Sequence, residues 1–513
     1  MVRYSGAGHS ASWRLPEPGT LDAYAPGLPA RLAATGAFFG ATEIAATNAL
    51  LSGLGWTGAI TYSFPDSRLD YEPGYAEVRN GFAPVSAAQM QAARYIFEGK
   101  SASIGGPRMA LTPVEGFTNA SLTDYGSQSA DIRIGRSFSG EDTAYAYLPS
   151  SHPYGGDVWF GRSYDYSKPK VGGYEFATMI HELGHALGLK HAHEAGGVSG
   201  EAIPRNRDSL EYSVMTYRSY VPFPTQNPPE NGYTNETYGF PQTYMMYDIA
   251  ALQAMYGADF AFRKGNTVYR WNPTTGETYV DGVGQGAPGD GMGGPANRIF
   301  LTIWDGGGSD TYDLSNYTRK VTINLNPGGH VAIAGEQRAD LGGGHKARGN
   351  IFNALQYQND PRSLIENANG GSGSDVLKGN AAKNKLKGNR GNDIINGGDG
   401  NDALWGGPGK DAFVFNTPLN PRSNVDRILD FSPVADTIRL ENGIFTSLTK
   451  TGKLAKGYFF TGAGAHDPND RIIYNKKTGA LIYDSDGTGE TGPVKFAQLK
   501  AGLNVTAADF FVV

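Results

Sequence analysis

Cysteine is absent from this chain of 513 residues. A protein without thiols gains nothing from an oxidising compartment, yet it is indifferent to being exported into one. Long apolar runs are missing too. No stretch approaches the roughly 18 consecutive apolar residues of a membrane span. The first residues, "MVRYSGAGHSASW", lack the apolar core of a secretory signal peptide, which taken alone points to the cytoplasm. Excess positive charge is also lacking. A net charge of −6 argues against a nucleic-acid partner, which calls for a basic patch or stripe.

Glycine, by contrast, is abundant at 72 residues, about twice the usual share. The length favours two or three domains, and 39% hydrophobic residues suffice for real cores. Residues 1–55, rich in Ala, Gly and Pro, read as a short pro-segment followed by a helix in "IAATNALLSGLGW". Residues 56–260 mix strand patterns (59–65, 130–137, 143–149, 156–163) with helical spacing at 86–99, at "GGYEFATMIHELGHALGL" and at 244–257. Residues 261–513 lose the helix signals, and glycine becomes dense. The expected fold is an α+β domain with a twisted sheet and a site helix, followed by an all-β parallel β-roll.

From residue 370 the sequence falls into nine-residue blocks: "GGSGSDVLK", "GNAAKNKLK", "GNRGNDIIN", "GGDGNDALW" and "GGPGKDAFV". The eighth position is always apolar (Leu377, Leu386, Ile395, Leu404, Phe413), and the sixth is Asp375, Asn384, Asp393, Asp402 or Asp411. A flexible linker would not keep phase over five blocks. A short strand followed by a glycine turn, stacked repeatedly, makes a parallel β-helix or roll of the kind that binds calcium through loop carbonyls and aspartates. Each block is half a turn, so loops two blocks apart share a side. The loops starting at 370, 388 and 406 all carry aspartate, which predicts two good calcium sites there. The opposite side, where "GNAAKN" has lost its aspartate, is expected to hold a weak site or none.

The densest chemistry lies in "HELGHALGLKH". Residues four apart on a helix differ by about 40° around the axis, so His181 and His185 project from one face and can share a metal. Glu182 can reach a metal-bound water without being a ligand. Gly188 lets the chain leave the helix, and His191 can swing back as third ligand. Three neutral imidazoles with an open position describe a catalytic zinc site rather than a structural one. Downstream, "SVMTY" places Met215 in a turn that would form an apolar floor beneath the metal.

Together "HELGHALGLKH", "SVMTY", "YDIAALQAMYG", "IWDGGGSDTYDLSNY", "LIENANGG" and the nonapeptide blocks resemble the serralysins, secreted bacterial zinc metalloproteases of the metzincin group. The likeness covers roughly residues 55–415. It implies one catalytic zinc on His181, His185 and His191, approached also by Tyr217. Glu182 would act as general base, and the Tyr217 hydroxyl would share the oxyanion. Extended polypeptide substrates would add to an edge strand, with "TAYAYLP" the first candidate and "GDVWFGRS" the next. Serralysins usually have proline after the third histidine; here Ala192 and then His193 follow, and His193 reads as a surface residue, with a ligand role as the alternative.

Several structural calcium ions are also implied. Before the repeats their ligands map onto Arg263, Gly265, Thr267, Asp305, Gly307, Gly308, Asp310, Leu364 and Glu366. Within the repeats they map onto Gly370, Gly371, Ser372, Gly373, Asp375, Gly388, Arg390, Gly391, Asp393, Gly397, Asp399, Asp402, Gly407, Gly409 and Asp411. An acidic residue followed by bulky apolar ones, Asp509 to Val513, resembles the uncleaved C-terminal signal read by a one-step exporter. That ending reverses the cytoplasmic reading in favour of secretion. The remaining partners expected are extended polypeptide substrates and a proteinaceous inhibitor, with the chain a monomer. Two rivals lose ground on the residues. A catalytically dead adhesin-like module would break a ligand or lack Glu182. An astacin-like enzyme would usually carry disulfides, impossible here.

Overall fold

The computed structural model describes residues 37–38, 45–79, 81–101, 108–138, 143–221, 233–333, 335 and 337–513. Most of the segment read as a pro-segment and helix lies outside these residues; its end forms a single helical turn, Ala45–Asn48. The structure is mostly β with a few helices, and among the described residues no α-helix follows Met246–Tyr256.

Five short strands build the sheet of the first part. Their order is Leu122–Asp124, Ile60–Ser63, Ile132–Arg136, Val158–Phe160 and Ala144–Ala146. All neighbours run parallel except the last pair, where Ala144–Ala146 is antiparallel and sits at the edge. Such near-continuous apolar strands, buried on both faces, need cover on each side. One face packs against helices. Ala144 and Ala146 are fully buried, and the edge strand lies beside the helix Tyr174–Leu187. The other face carries a tyrosine-rich cluster of Tyr71, Tyr145, Tyr147 and Trp159.

The helix Tyr174–Leu187 is buried almost all round, so it is a core element rather than a surface helix. Its last carbonyls would be orphaned without partners. Trp56 Nε1 donates to Ala186 O at 2.8 Å, Tyr256 Oη to Leu187 O at 2.6 Å, and Ser52 Oγ to Gly188 O at 2.6 Å. Gly188 ends the helix at φ 111°, and a Cβ there would meet Leu54 O at 2.1 Å. Only glycine combines that dihedral with that close approach.

In the second part the chain alternates between a twelve-stranded and a ten-stranded sheet. Val376–Lys378, Ile394–Asn396 and Ala412–Phe415 stack in one. Lys385–Lys387, Ala403–Trp405 and Asp426–Ile428 stack in the other. Parallel register places Leu377 on Ile395 on Phe413, and Leu386 on Leu404 on Ile428. These side chains fill the space between the sheets, where exposure is 1% or less. Each nine-residue block is therefore half a turn. The loops stack so closely that a Cβ on Gly391 would lie 1.9 Å from Gly373 O, and one on Gly409 1.6 Å from Gly391 O. The glycines are demanded by that approach of backbone to backbone. The C-terminus continues the roll: Phe510–Val512 pairs with Thr437–Leu440, with Phe510 and Val512 buried.

The two hydrophobic cores do not divide cleanly at residue 260. Phe300, Trp304, Ala339, Leu341, Ala347 and Phe352 belong to the core that surrounds the helix Tyr174–Leu187.

Candidate metal centres

The helix brings His181 and His185 together, and the turn after Gly188 returns His191 to them. The three Nε2 atoms lie 3.0 to 3.2 Å apart. Each Nδ1 faces an acceptor: Val214 O for His181, Leu189 O for His185 and Glu194 Oε1 for His191, at 2.8, 2.7 and 2.9 Å. A backbone carbonyl can only accept, so the Nδ1 proton is fixed and the Nε2 lone pairs point inward. Burial pushes the His181 pKa down to about 4 and lowers His185 and His191 well below the usual range, with the neighbouring imidazoles adding to it. Three neutral imidazoles whose lone pairs converge at such distances repel unless a cation lies among them. The donor set fits zinc.

Glu182 is 2% exposed, and its Oε2 has no hydrogen-bond partner. Burial alone raises its pKa to about 8. Tyr217 Oη donates to His191 Nε2 at 2.7 Å. Met215 packs against the helix between the two histidines, with its Sδ 2.8 Å from where a Cβ on Gly184 would stand. The first glycine of the motif is thus a seat for this methionine. Asp248, at the start of the helix Met246–Tyr256, holds the turn by accepting from Ser213 Oγ and Val214 N at 2.6 and 2.8 Å. Beside the cluster a cleft is lined by Tyr174, Ala177, Leu210, Tyr233 and Phe240, together with Glu182 and Tyr217.

Two expectations change here. His193 is half-buried rather than on the surface. Its ring stacks 5.2 Å from His191 and sits 4.9 Å from Tyr217, because Ala192, bonded to Met215 O, turns the next residue inward. "GDVWFGRS" is an interior strand, since the antiparallel Ala144–Ala146 covers its outer edge. Sequence reading missed Glu194, which the turn after His191 brings back to that ring.

In the roll, carboxylates stack loop upon loop. Asp375 N donates to Asp393 Oδ1 and Asp393 N to Asp411 Oδ1, at 2.7 and 2.9 Å. Oδ2 of Asp393, Asp402 and Asp411 is buried without a partner. Burial raises Asp375 and Asp411 to about 6, and Asp393 and Asp402 to about 7. Orphaned anionic oxygens facing glycine-rich loops fit calcium. Gly370, Gly371, Ser372, Gly373, Gly388, Arg390, Gly391, Gly397, Asp399, Gly407 and Gly409 lie in these same loops, Arg390 and Asp399 at their exposed tips. Asn384 Oδ1 sits 2.2 Å from a Cβ placed on Gly379, just as Asp393 Oδ2 does for Gly388. The loop that lost its aspartate thus keeps an inward oxygen with one charge fewer.

Above the repeats, Thr267 N donates to Asp310 Oδ1 and Asp310 N to Glu366 Oε2, both at 2.7 Å. A Cβ on Gly308 would meet Gly265 O at 2.3 Å, and Gly307 N donates to Asp305 Oδ1 at 3.0 Å. Burial and the Asp305 carboxylate raise Asp310 to about 8, and its Oδ2 is orphaned. Burial raises Glu366 to about 7. Arg263, with φ 50°, and Leu364 lie on the same two segments. Below the repeats the ladder runs on through residues that sequence reading did not find. Asp402 N donates to Asp426 Oδ1, Asp411 N to Asp436 Oδ1 and Gly406 N to Asp430 Oδ1.

A sequence profile described as Peptidase M10 serralysin C terminal matches residues 258–464. Metallopeptidase AprA of Pseudomonas marginalis is 34% identical over 397 residues, 74% of this chain and 74% of that protein. Metalloprotease AprA of Pseudomonas entomophila is 38% identical over 58% of this chain and 57% of that protein. Serralysin of Proteus mirabilis is 31% identical over 49% and 46%. Among solved structures, the AlgE6R3 subunit of the Azotobacter vinelandii mannuronan C5-epimerase aligns at 24% identity. It covers 28% of this chain and 76% of that one, with a TM-score of 0.20, too low to assign a fold. A histidine cluster on a buried helix, joined to an all-β roll, marks the class of metallopeptidases. Within that class, the chain belongs to the serralysin family.

Proposed function

We propose that the protein is a secreted zinc endopeptidase whose catalytic half, residues 56–260, has the metzincin fold and whose roll, residues 261–513, is stabilised by several calcium ions. The observation that carries this reading is the convergence of three inward Nε2 lone pairs beside the unpartnered carboxylate of Glu182. His181, His185 and His191 would hold the zinc, which when bound activates water and polarises a carbonyl. Glu182 takes the proton from the attacking water at its free Oε2 and later delivers it to the departing amine. Tyr217, whose hydroxyl already lies at the cluster, turns that donor to the developing oxyanion. The peptide lies extended along Ala144–Ala146, the edge strand beside the helix.

Secretion rests on the C-terminal strand. Phe510 and Val512 are buried in the folded roll. An exporter can read Asp509–Val513 only before the roll closes. Low cytosolic calcium leaves the loop carboxylates repelling one another, and calcium outside the cell favours the folded form by mass action. The decisive test is Glu182→Ala, assayed on casein with and without a chelator. It should keep one zinc and lose peptide hydrolysis. Hydrolysis retained in the variant, or in chelated wild type, would overturn the assignment.

A further inference from the structure

The turn that carries Met215 and Tyr217 is held from below by the β-rich half of the chain. Arg348 N donates to Glu211 Oε1 at 2.5 Å, and its Nε to Glu211 Oε2 at 3.2 Å. Glu211 is 4% exposed. The Arg348 guanidinium also lies 4.6 Å above the Tyr212 ring, which stacks on Tyr247 at 5.5 Å. Two residues beyond Glu211, Ser213 and Val214 are fixed by Asp248, and Val214 O receives the Nδ1 proton of His181. The path from Arg348 to the histidine cluster is thus a few covalent and hydrogen bonds long.

The neighbouring hairpin reinforces it. Ala339, Leu341 and Ala347 pack in the same core as Leu210, Val214 and Met215. Thr234 Oγ1 donates to Leu341 O at 2.5 Å, and the His345 ring stacks on Tyr220 at 3.7 Å. Tyr220 lies three residues beyond Tyr217.

We propose that Arg348 is a positioning residue for the histidine cluster. By clamping Glu211, it sets the turn on which the His181 tautomer and the Tyr217 hydroxyl depend, so that the roll half completes the site. The Glu211 carboxylate is buried where the arginine supplies its charge, and a buried charge without its partner rearranges its surroundings. The inference rests on the zinc reading above and goes beyond it by assigning work at the metal to a residue outside the first 260.

The test uses the full chain in calcium, with Arg348→Ala, Arg348→Lys and Glu211→Gln. Zinc loss to a chromogenic chelator is measured beside kcat and KM on one peptide. Outer partners of metal ligands typically alter affinity or activity by about 10- to 100-fold. Arg348→Ala and Glu211→Gln should release zinc roughly tenfold faster and lower kcat by a similar factor, with KM within about twofold. Arg348→Lys, which keeps the charge and the backbone contact, should recover part of both and covers the case in which Arg348→Ala does not fold. Zinc release and kcat equal to wild type in Glu211→Gln overturn the proposal, even where the melting temperature falls. Wild type that neither holds zinc nor cleaves would instead sink the function proposed above.

Discussion

The backbone N–H of Asp402 donates to Asp426 Oδ1 at 3.1 Å across 24 residues, where the rung Asp375 to Asp393 spans 18. The loop between the strands has lengthened, yet the aspartate still lands under the one above it. Asp436 does the same for Asp411. Burial and the Asp402 carboxylate raise Asp426 to about 8, so without a cation the crowded pair retains a proton that a bound ion would displace. Asp426→Asn and Asp436→Asn should each weaken the calcium dependence of folding, moving the midpoint about tenfold upward, near 1.4 kcal/mol. Calcium titration followed by circular dichroism reads this. An unchanged midpoint in both variants would confine the calcium array to the five blocks.

The loop carboxylates also set a pH dependence that calcium should invert. In the ion-free protein Asp375, Asp393, Asp402 and Asp411 have pKa values raised to about 6 or 7, chiefly by burial. A raised carboxyl pKa means the folded state prefers the protonated form. Its contribution is present below the unfolded value near 4 and is lost as pH rises through about 6 to 7. Melting in chelator should therefore occur at higher temperature near pH 5 than near pH 8. In millimolar calcium the order should reverse, because the ion needs the ionised oxygens. A chelated protein that melts higher at pH 8 would contradict the account.

Gly188 offers a test of how backbone geometry serves the metal centre. It touches no ligand side chain, yet its φ of 111° and the 2.1 Å approach of Leu54 O leave no room for a Cβ. Gly188→Val combines left-handed strain with a clash and should cost about 2–5 kcal/mol of stability. It should also weaken zinc binding, because His191 follows the turn. Equilibrium dialysis against zinc at low temperature, where the variant stays folded, measures the second effect. Affinity equal to the parent would show that His191 reaches the cluster without this turn.

Much of this site could be read from the sequence because it is local. Four-residue spacing fixes His181 beside His185, and a nine-residue period fixes the sheet alternation. What escaped was set by tertiary approach. Asp426 and Asp436 fell outside a strict period, although "DRI" and "DTI" preserve the Asp-x-apolar pattern of "DVL" and "DAL". The burial of His193 depends on Ala192 N bonding to Met215 O, a contact between segments. Whether "TAYAYLP" or "GDVWFGRS" lay at the edge depended on strand order. Both sequences have the same β-forming alternation, and only the antiparallel return of the first one settles it. The core residues Ala339, Leu341 and Ala347 carry no periodic mark at all.

The edge strand itself is held from the face opposite the helix. Tyr145 and Tyr147 point away from the helix Tyr174–Leu187, and both hydroxyls donate to Glu77 Oε1, at 3.1 and 2.6 Å. Glu77 is 5% exposed, and its own carbonyl accepts from Ser137 Oγ at 2.7 Å. One carboxylate thus fixes Tyr145 of the strand proposed to receive substrate and Tyr147 just beyond it, leaving Ala144 and Ala146 turned toward the helix. Glu77→Ala removes that shared acceptor and should cost about 2 kcal/mol of stability. Because a peptide adding to the strand must first find it extended, KM should rise several-fold while kcat changes less. Glu77→Gln keeps an acceptor oxygen and should restore most of the KM. Steady-state kinetics on a peptide long enough to span the strand decides the matter. A loss confined to kcat, with KM unchanged, would show that substrate does not pair with Ala144–Ala146.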